Sequence, residues 1–193
     1  ATPGEAAGVG ALGAMVCAAI RRQLTWENFK LSLFGTMMTV GIIMWIVFGA
    51  MTFIATYTLA GGSEFVTNSL VALPLGPWGV LILIQFILLF MGMVLEIIGI
   101  TVLLAPIFVP VIAALGFNTL WFGVLFNLNL QIAYLSPPFG YSMFYLKAVA
   151  PPDVTMTDLY RSVLPFILLQ VIGLALCMIF PQIILWLPGV MIR

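Results

Sequence analysis

The hydrophobic residues of this chain form continuous runs that are separated by short polar stretches. Continuous apolar runs of about 20 residues are typical of transmembrane helices, whereas alternating polarity would indicate a membrane β-barrel. The sequence therefore predicts an all-α integral membrane protein. The pattern predicts helical segments over residues 3–20, 31–59, 78–117, 121–148 and 160–187.

Two short motifs predict where helices begin. Thr2 lies three residues before Glu5, which is the spacing of a capping box. Thr155 and Asp158 repeat that spacing ahead of the last predicted span. Residues 25–30, between the first two spans, are predicted to form a short turn at the membrane interface.

The segment 78–117 is long enough for two membrane spans, but no polar loop divides it. The one candidate turn is 92–99, which contains Glu96. Either two full spans meet in an almost loopless turn, or a re-entrant hairpin turns inside the membrane. We favour the hairpin, because a turn that emerges into water would usually carry more than one charge. Pro106 and Pro110 are expected to kink or shorten its second limb.

The segment 121–148 is interrupted by Ser-Pro-Pro-Phe-Gly at 136–140. A residue before proline disfavours the helical region, prolines donate no backbone hydrogen bond, and Gly140 permits unusual backbone angles. We expect the helix to break near Ser136 and to restart at about Pro138. Within a bilayer, such a break requires protein or a wet cavity around it, and it is typical of a transporter's binding site.

Composition excludes several classes of function. Hydrophobic residues make up 64% of the chain and charged residues 6%, and the net charge is zero. The basic residues form no stripe that would favour nucleic acid. Histidine is absent and only six carboxylates are present, which argues against an enzyme. Cys17 and Cys177 lie in apolar segments and are predicted to be buried thiols, not a disulfide or a transition-metal site.

Glu96 is the one carboxylate deep inside an apolar segment, so it is a candidate functional residue. It could ligate a cation, hold the hairpin tip together by hydrogen bonds, or couple transport to protonation. Lysine and arginine are absent from the predicted membrane core. An anionic substrate would therefore meet helix N-termini at the break and the hairpin tip, or charges from another part of the protein.

The polar residues before the break fall on two helical faces. Asn129 and Ser136 share one face, while Asn127, Gln131 and Tyr134 share another. The amides could tie neighbouring helices together, or Asn129 and Ser136 could face a binding site. Carbonyls freed by the break near Ser136 would add oxygen ligands suited to a hard cation such as Na⁺.

The distribution of basic residues predicts the orientation. With the loop 21–30 in the cytoplasm, 61–77 lies outside, 147–161 lies inside, and the C-terminus ends in the periplasm. The start of the chain, which lacks an initiator methionine and a signal peptide, suggests a fragment or one half of a larger protein. Five of the six basic residues then face the cytoplasm: Arg21, Arg22, Lys30, Lys147 and Arg161.

Several motifs occur together in an order that resembles one known family. That order resembles the second half, or second inverted repeat, of the large membrane subunit of tripartite ATP-independent periplasmic (TRAP) transporters. The motifs are Thr2–Ala6, Gly92–Glu96, Ala105–Pro110, Leu115–Asn118, Trp121–Gly123, Asn129, Ser136–Gly140, Pro165–Phe166 and Trp186–Pro188.

The resemblance implies an elevator-type secondary transporter in the bacterial inner membrane, surrounded by lipid and driven by Na⁺, with no other cofactor. Its implied partners are the N-terminal half of the permease, a small membrane subunit, and a periplasmic binding protein that delivers an organic acid. It divides the chain into scaffold-like helices (1–60), a periplasmic link (61–77), a transport-type unit (78–150), and a cytoplasmic loop with the last helix (151–193).

The resemblance also assigns the site. The hairpin tip and the break together form a Na⁺ site beside the substrate. The chain departs from the family's usual residues at Glu96, Ala133, Ser136 and Phe139, and the changes at Ala133 and Phe139 leave the pocket size open. A passive ion channel and a non-transporting structural fragment remain alternatives. The predicted cation ligands are Gly92, Glu96, Gly99, Ser136 and Pro137, and the predicted substrate-binding residues are Asn129, Ser136, Phe139 and Gly140.

Overall fold

A computed structural model of the chain describes residues 2–137, 140–151 and 153–191. These residues form helices joined by short connections, with no strand among them, and they divide into two compact units, 1–46 and 47–193. The helices are α1 (Pro3–Ile20), α2 (Trp26–Leu59), α3 (Gly62–Val71), α4 (Gly76–Val94), α5 (Ile97–Ala114), α6 (Thr119–Leu135), α7 (Tyr141–Val149), α8 (Met156–Ile179) and α9 (Gln182–Met191).

Four of these helices, α2, α4, α5 and α8, are long and apolar enough to cross a membrane. The predicted fold class, an all-α membrane protein, is therefore confirmed by the helical content and by the length and polarity of these helices. Both limbs of the predicted hairpin are among the four, and only Leu95 and Glu96 join them. The re-entrant arrangement of these two limbs stays a prediction. The second limb continues through Pro106 and Pro110 to Ala114.

The first unit begins with the predicted capping box. The Glu5 carboxylate accepts from the Thr2 N–H at 2.7 Å, and the Thr2 hydroxyl accepts from the Glu5 N–H at 3.3 Å. The predicted interfacial turn at 25–30 is wrong, because α2 already begins at Trp26. Thr25 caps that helix by accepting from the Asn28 N–H at 3.2 Å. Cys17 is exposed, so the prediction of a buried thiol is wrong there: its helix leaves that face uncovered.

The core of the second unit lies where α4 and α5 pack around α6. Gly92 lies at the contact between α4 and α6: a Cβ added there would lie 2.7 Å from the Ala133 Cβ and 3.1 Å from the Leu130 Cδ2. The absence of a side chain at Gly92 thus lets the end of α4 touch the end of α6. Fully buried side chains of this core include Leu81, Ile84, Leu88, Ile100, Val111, Ile112, Phe122, Leu125 and Leu130.

The helix start predicted at Thr155 and Asp158 is confirmed, whereas the last predicted span, 160–187, is wrong at its end. The Thr155–Asp158 capping box starts α8 at Met156, with the Thr155 N–H donating to the Asp158 carboxylate at 3.0 Å. The helix then ends at Ile179, because Pro181 has no N–H for the carbonyl of Cys177. The Trp121 indole N–H donates to that carbonyl at 2.8 Å instead.

Candidate functional site

The predicted break is present at the end of α6. Ser136 is extended (φ −86°, ψ 140°), and its N–H donates to the carbonyl of Ala133 at 3.1 Å. The predicted restart at about Pro138 is wrong, because α7 begins at Tyr141 after Gly140 takes a left-handed conformation with φ +50°. The described residues do not include Pro138 and Phe139, so the predicted role of Phe139 lies outside them.

Ser136 is buried at the break, with 5% of its surface exposed. Its hydroxyl donates a hydrogen bond to the carbonyl of Ile132, one turn earlier in α6, at 2.8 Å. A hydroxyl has one proton and two lone pairs, so its oxygen can still accept a hydrogen bond or ligate a cation. Pro137 follows it directly and is exposed.

Glu96 lies in the link between α4 and α5 and caps the second of these helices. One carboxylate oxygen accepts from the N–H of Ile98 at 2.8 Å and from the N–H of Gly99 at 3.3 Å. Of the three roles considered for Glu96, this geometry corresponds to holding the tip together. The residue is exposed, so its other carboxylate oxygen can reach a ligand.

The remaining N–H groups at the start of α5 are also bonded. The Ile97 N–H donates to the hydroxyl of Tyr134 on α6 at 2.6 Å, and the Ile100 N–H donates to the carbonyl of Glu96 at 2.9 Å. With Ile98 and Gly99 capped by Glu96, the first three N–H groups of α5 are all bonded. These bonds make the start of α5 less favourable for an anionic substrate, and its part in substrate binding stays a prediction.

The start of α7 differs from the start of α5. No side chain of the described residues caps α7, and Gly140, which precedes the helix, contributes only its carbonyl, to the Met143 N–H at 2.7 Å. An uncapped helix start favours negative charge. At its other end, the Lys147 ammonium donates to the carbonyl of Val154 at 2.6 Å.

Two contacts bring the hairpin tip and the break together. The end of α4 touches the end of α6 through Gly92 and Ala133, and the start of α5 is bonded to α6 through Ile97 and Tyr134. Tyr134 precedes Ser136 by two residues. Of the tip residues predicted to bind Na⁺, Gly92 is thus packed against the last turns of α6. Coordination of an ion by the tip and the break stays a prediction.

Asn129 is buried on the predicted face with Ala133 and Ser136, while Asn127 and Gln131 are exposed. The Asn129 side-chain amide donates to the backbone carbonyl of Gln85 at 2.7 Å and to the Gln85 side-chain oxygen. Seven residues separate Asn129 from Ser136, about 10 Å along a helix. Asn129 thus lies away from the break, and its role in substrate binding stays a prediction.

Gln85 was not among the predicted site residues, although it is a polar side chain in an otherwise apolar run. It is 6% exposed, and its Nε2 and the Oδ1 of Asn129 have no hydrogen-bond partner among the described residues. Both residues line a cavity of about 470 Å³ that is otherwise apolar and is bounded by α4, α6 and α8. This cavity includes neither Glu96 nor Ser136.

The chain matches a family described as "Tripartite ATP-independent periplasmic transporter, DctM component" over residues 1–183. It is 33% identical to the sialic acid TRAP transporter large permease protein SiaM of Vibrio cholerae, covering 97% of this chain and 44% of that protein.

Two further relatives match over nearly the whole chain. The C4-dicarboxylate TRAP transporter large permease protein DctM of Pseudomonas aeruginosa is 28% identical over 97% of this chain and 44% of its own length. The 2,3-diketo-L-gulonate TRAP transporter large permease protein YiaN of Escherichia coli is 28% identical over 95% of this chain and 43% of its own length. The chain therefore spans less than half the length of each of these relatives.

Proposed function

Because this chain belongs to the DctM component family of tripartite ATP-independent periplasmic transporters, we propose that it is part of a sodium-coupled importer of a small organic acid. The relatives are named for sialic acid, C4-dicarboxylates and 2,3-diketo-L-gulonate, all of which are organic acids. The transported substrate of this protein is accordingly a carboxylate.

The broken helix is the observation that carries the proposal. α6 ends at Leu135, and α7 starts at Tyr141 with no side-chain cap among the described residues. A helix end carries roughly half an elementary charge, negative at the C-terminus and positive at the N-terminus. The end of α6 therefore favours a cation and the start of α7 favours an anion. Coupled transport of Na⁺ and a carboxylate requires both kinds of position at one site.

The cation in this proposal lies between the break and the hairpin tip. Ser136 contributes its hydroxyl oxygen, and Ser136 and Pro137 contribute backbone carbonyls. The tip from Gly92 to Gly99 closes the site from the other side, with Glu96 free to use the carboxylate oxygen that does not cap α5. A set of oxygen ligands of this kind suits a hard cation held weakly enough to be released.

The substrate carboxylate in this proposal lies at the start of α7, beside Gly140. The start of α5 is less favourable for the carboxylate, because the N–H groups of Ile97, Ile98 and Gly99 are already bonded to Tyr134 and Glu96. Asn129 contributes from deeper in the helix if the substrate is long enough to reach it. The rest of the permease supplies any cationic side chain that the substrate needs.

The wider assignment extends the same proposal. The chain lies in the bacterial inner membrane with its C-terminus in the periplasm, and α4 and α5 form a re-entrant hairpin. The remaining half of the permease, a small membrane subunit and a periplasmic binding protein complete the transporter. The unit that contains the break moves as an elevator relative to the first helices.

The test is Na⁺-dependent uptake by the complete transporter in proteoliposomes, supplied with its binding protein. Replacing external Na⁺ by choline should abolish uptake, and unchanged uptake would rule out sodium coupling. Single-channel currents without binding protein would contradict the proposal and favour a passive channel.

Substitution of Ser136 tests the site itself. Ser136→Ala should raise the Na⁺ concentration for half-maximal uptake by about tenfold, since it removes one oxygen that contacts a charge. Ser162→Ala is the matched control, because that hydroxyl also donates to its own helix, to Leu159 at 2.8 Å. Equal effects of the two substitutions would mean that Ser136 serves only its helix.

A further inference from the structure

The hairpin tip is joined to the broken helix by a hydrogen bond that crosses between them. The Ile97 N–H, the first of α5, donates to the hydroxyl of Tyr134 at 2.6 Å. Tyr134 lies in the last turn of α6, directly before the break, and is half-buried. The bond therefore connects the two elements that together form the proposed cation site.

The capping bonds of Glu96 go to the second and third N–H groups of α5 and not to the first, that of Ile97. The Glu96 oxygen that caps α5 accepts from Ile98 and Gly99, and the preceding link residues Leu95 and Glu96 are extended, with ψ 152° and 146°. Helix capping by Glu96 fixes α5 only relative to its own link. The bond from Ile97 to Tyr134 instead fixes the tip relative to α6.

We propose that Tyr134 is a positioning residue for the cation site: its hydroxyl holds the hairpin tip in register with the end of α6. The inference rests on the proposed sodium coupling, because the cation needs ligands from both elements. Without the hydroxyl, the distance between the tip oxygens and Ser136 varies, and part of the binding free energy of the ion is used to bring them together. The affinity for Na⁺ falls, while transport by the loaded carrier continues.

Uptake kinetics provide the first test, in the complete permease in proteoliposomes. Tyr134→Phe should raise the Na⁺ concentration for half-maximal uptake by about fivefold and leave the maximal rate at saturating Na⁺ within about twofold. Tyr145→Phe is the matched control, because that tyrosine is 77% exposed, and it should change neither value. A fall in maximal rate without a change in the Na⁺ dependence would overturn the proposal.

A second variant removes the other partner of the same hydrogen bond. Ile97→Pro deletes the N–H at the first position of α5, where proline is well tolerated, and the extended backbone of Glu96 (φ −71°, ψ 146°) suits a residue before proline. Ile97→Val keeps the N–H and serves as its control. The proline variant should reproduce the effect of Tyr134→Phe, and the double variant should be no worse than either one. Additive effects would show that the two residues act separately, which overturns the proposal.

Distance measurements separate this inference from the proposed function. Spin labels at Leu95 on the tip and at Gln131, which is exposed on α6, are placed in a permease whose native cysteines are replaced. The wild-type distance distribution should be narrow, and Tyr134→Phe and Ile97→Pro should broaden it. An unchanged distribution overturns the positioning role, even if uptake is sodium-coupled. If the distribution broadens in a permease whose uptake does not depend on Na⁺, the proposed sodium coupling is wrong, but the hydrogen bond still fixes the position of the tip.

Discussion

The contact between Gly92 and Ala133 gives a stability prediction whose magnitude can be worked out. An alanine Cβ at position 92 would lie 2.7 Å from the Ala133 Cβ, whereas carbon atoms pack at about 3.5–4.0 Å. The Cβ of Ala133 is fixed to the backbone, so no side-chain rotation can relieve the overlap. The ends of α4 and α6 must therefore separate by about 1 Å.

The cost follows from the balance of two effects. Overpacking of this kind costs about 1–3 kcal/mol, and the better helix propensity of alanine returns up to about 1 kcal/mol. We expect Gly92→Ala to lower the free energy of unfolding by about 1–2 kcal/mol. Gly123→Ala is the matched control on α6, because a Cβ there meets no atom within 4 Å, and it should be neutral or stabilising.

Thermal unfolding of the purified permease in one detergent measures both variants. Gly92→Ala should melt several degrees below the wild type, and Gly123→Ala at or above it. The double variant Gly92→Ala/Ala133→Gly should recover most of the loss, because removal of the Ala133 Cβ restores the space. If Gly92→Ala is as stable as Gly123→Ala, the close approach of α4 to α6 does not exist as described.

Two further predictions concern polar groups. Glu96→Gln should keep the free energy of unfolding within about 1 kcal/mol of wild type, because the amide oxygen can still accept hydrogen bonds from the start of α5 and only the interaction of the charge with the helix dipole is lost. Thermal unfolding measures this change. If uptake depends on pH in the wild type and no longer does so in Glu96→Gln, Glu96 instead couples transport to protonation. Asn129→Ala should cost about 1–3 kcal/mol by leaving the Gln85 side-chain oxygen unpaired in the core, and Asn129→Leu combined with Gln85→Leu should be closer to neutral. A double leucine variant less stable than Asn129→Ala would contradict this account of the buried pair.

The features that could be predicted from sequence are those set by neighbouring residues. The capping boxes at Thr2 and Thr155 and the end of α6 at Ser136 depend on side chains and prolines a few positions apart, and the structure has each of them. The start of α2 was missed because the aromatic and polar composition of 25–30 suggested an interfacial turn. The competing local signal was Thr25, whose hydroxyl accepts from the Asn28 N–H.

The features that could not be predicted depend on how helices pack. The hydrogen bond between Tyr134 and Ile97 joins residues 37 positions apart in the sequence, and that between Asn129 and Gln85 joins residues 44 positions apart. Rules based on the spacing of neighbouring residues do not predict contacts at such separations. The end of α8 is an intermediate case. The local cause is Pro181, which has no N–H for the carbonyl of Cys177, but the donor that replaces it, the indole of Trp121, lies 56 residues away along the chain.

The shortness of the link between α4 and α5 has a consequence for motion. Leu95 and Glu96 are both extended and leave no slack between the two helices. A displacement of one limb along its axis would therefore be transmitted directly to the other. The connections that join the pair to α3 and α6 are longer, at 72–75 and 115–118, so a change in the angle of the pair is absorbed more easily there than at its tip.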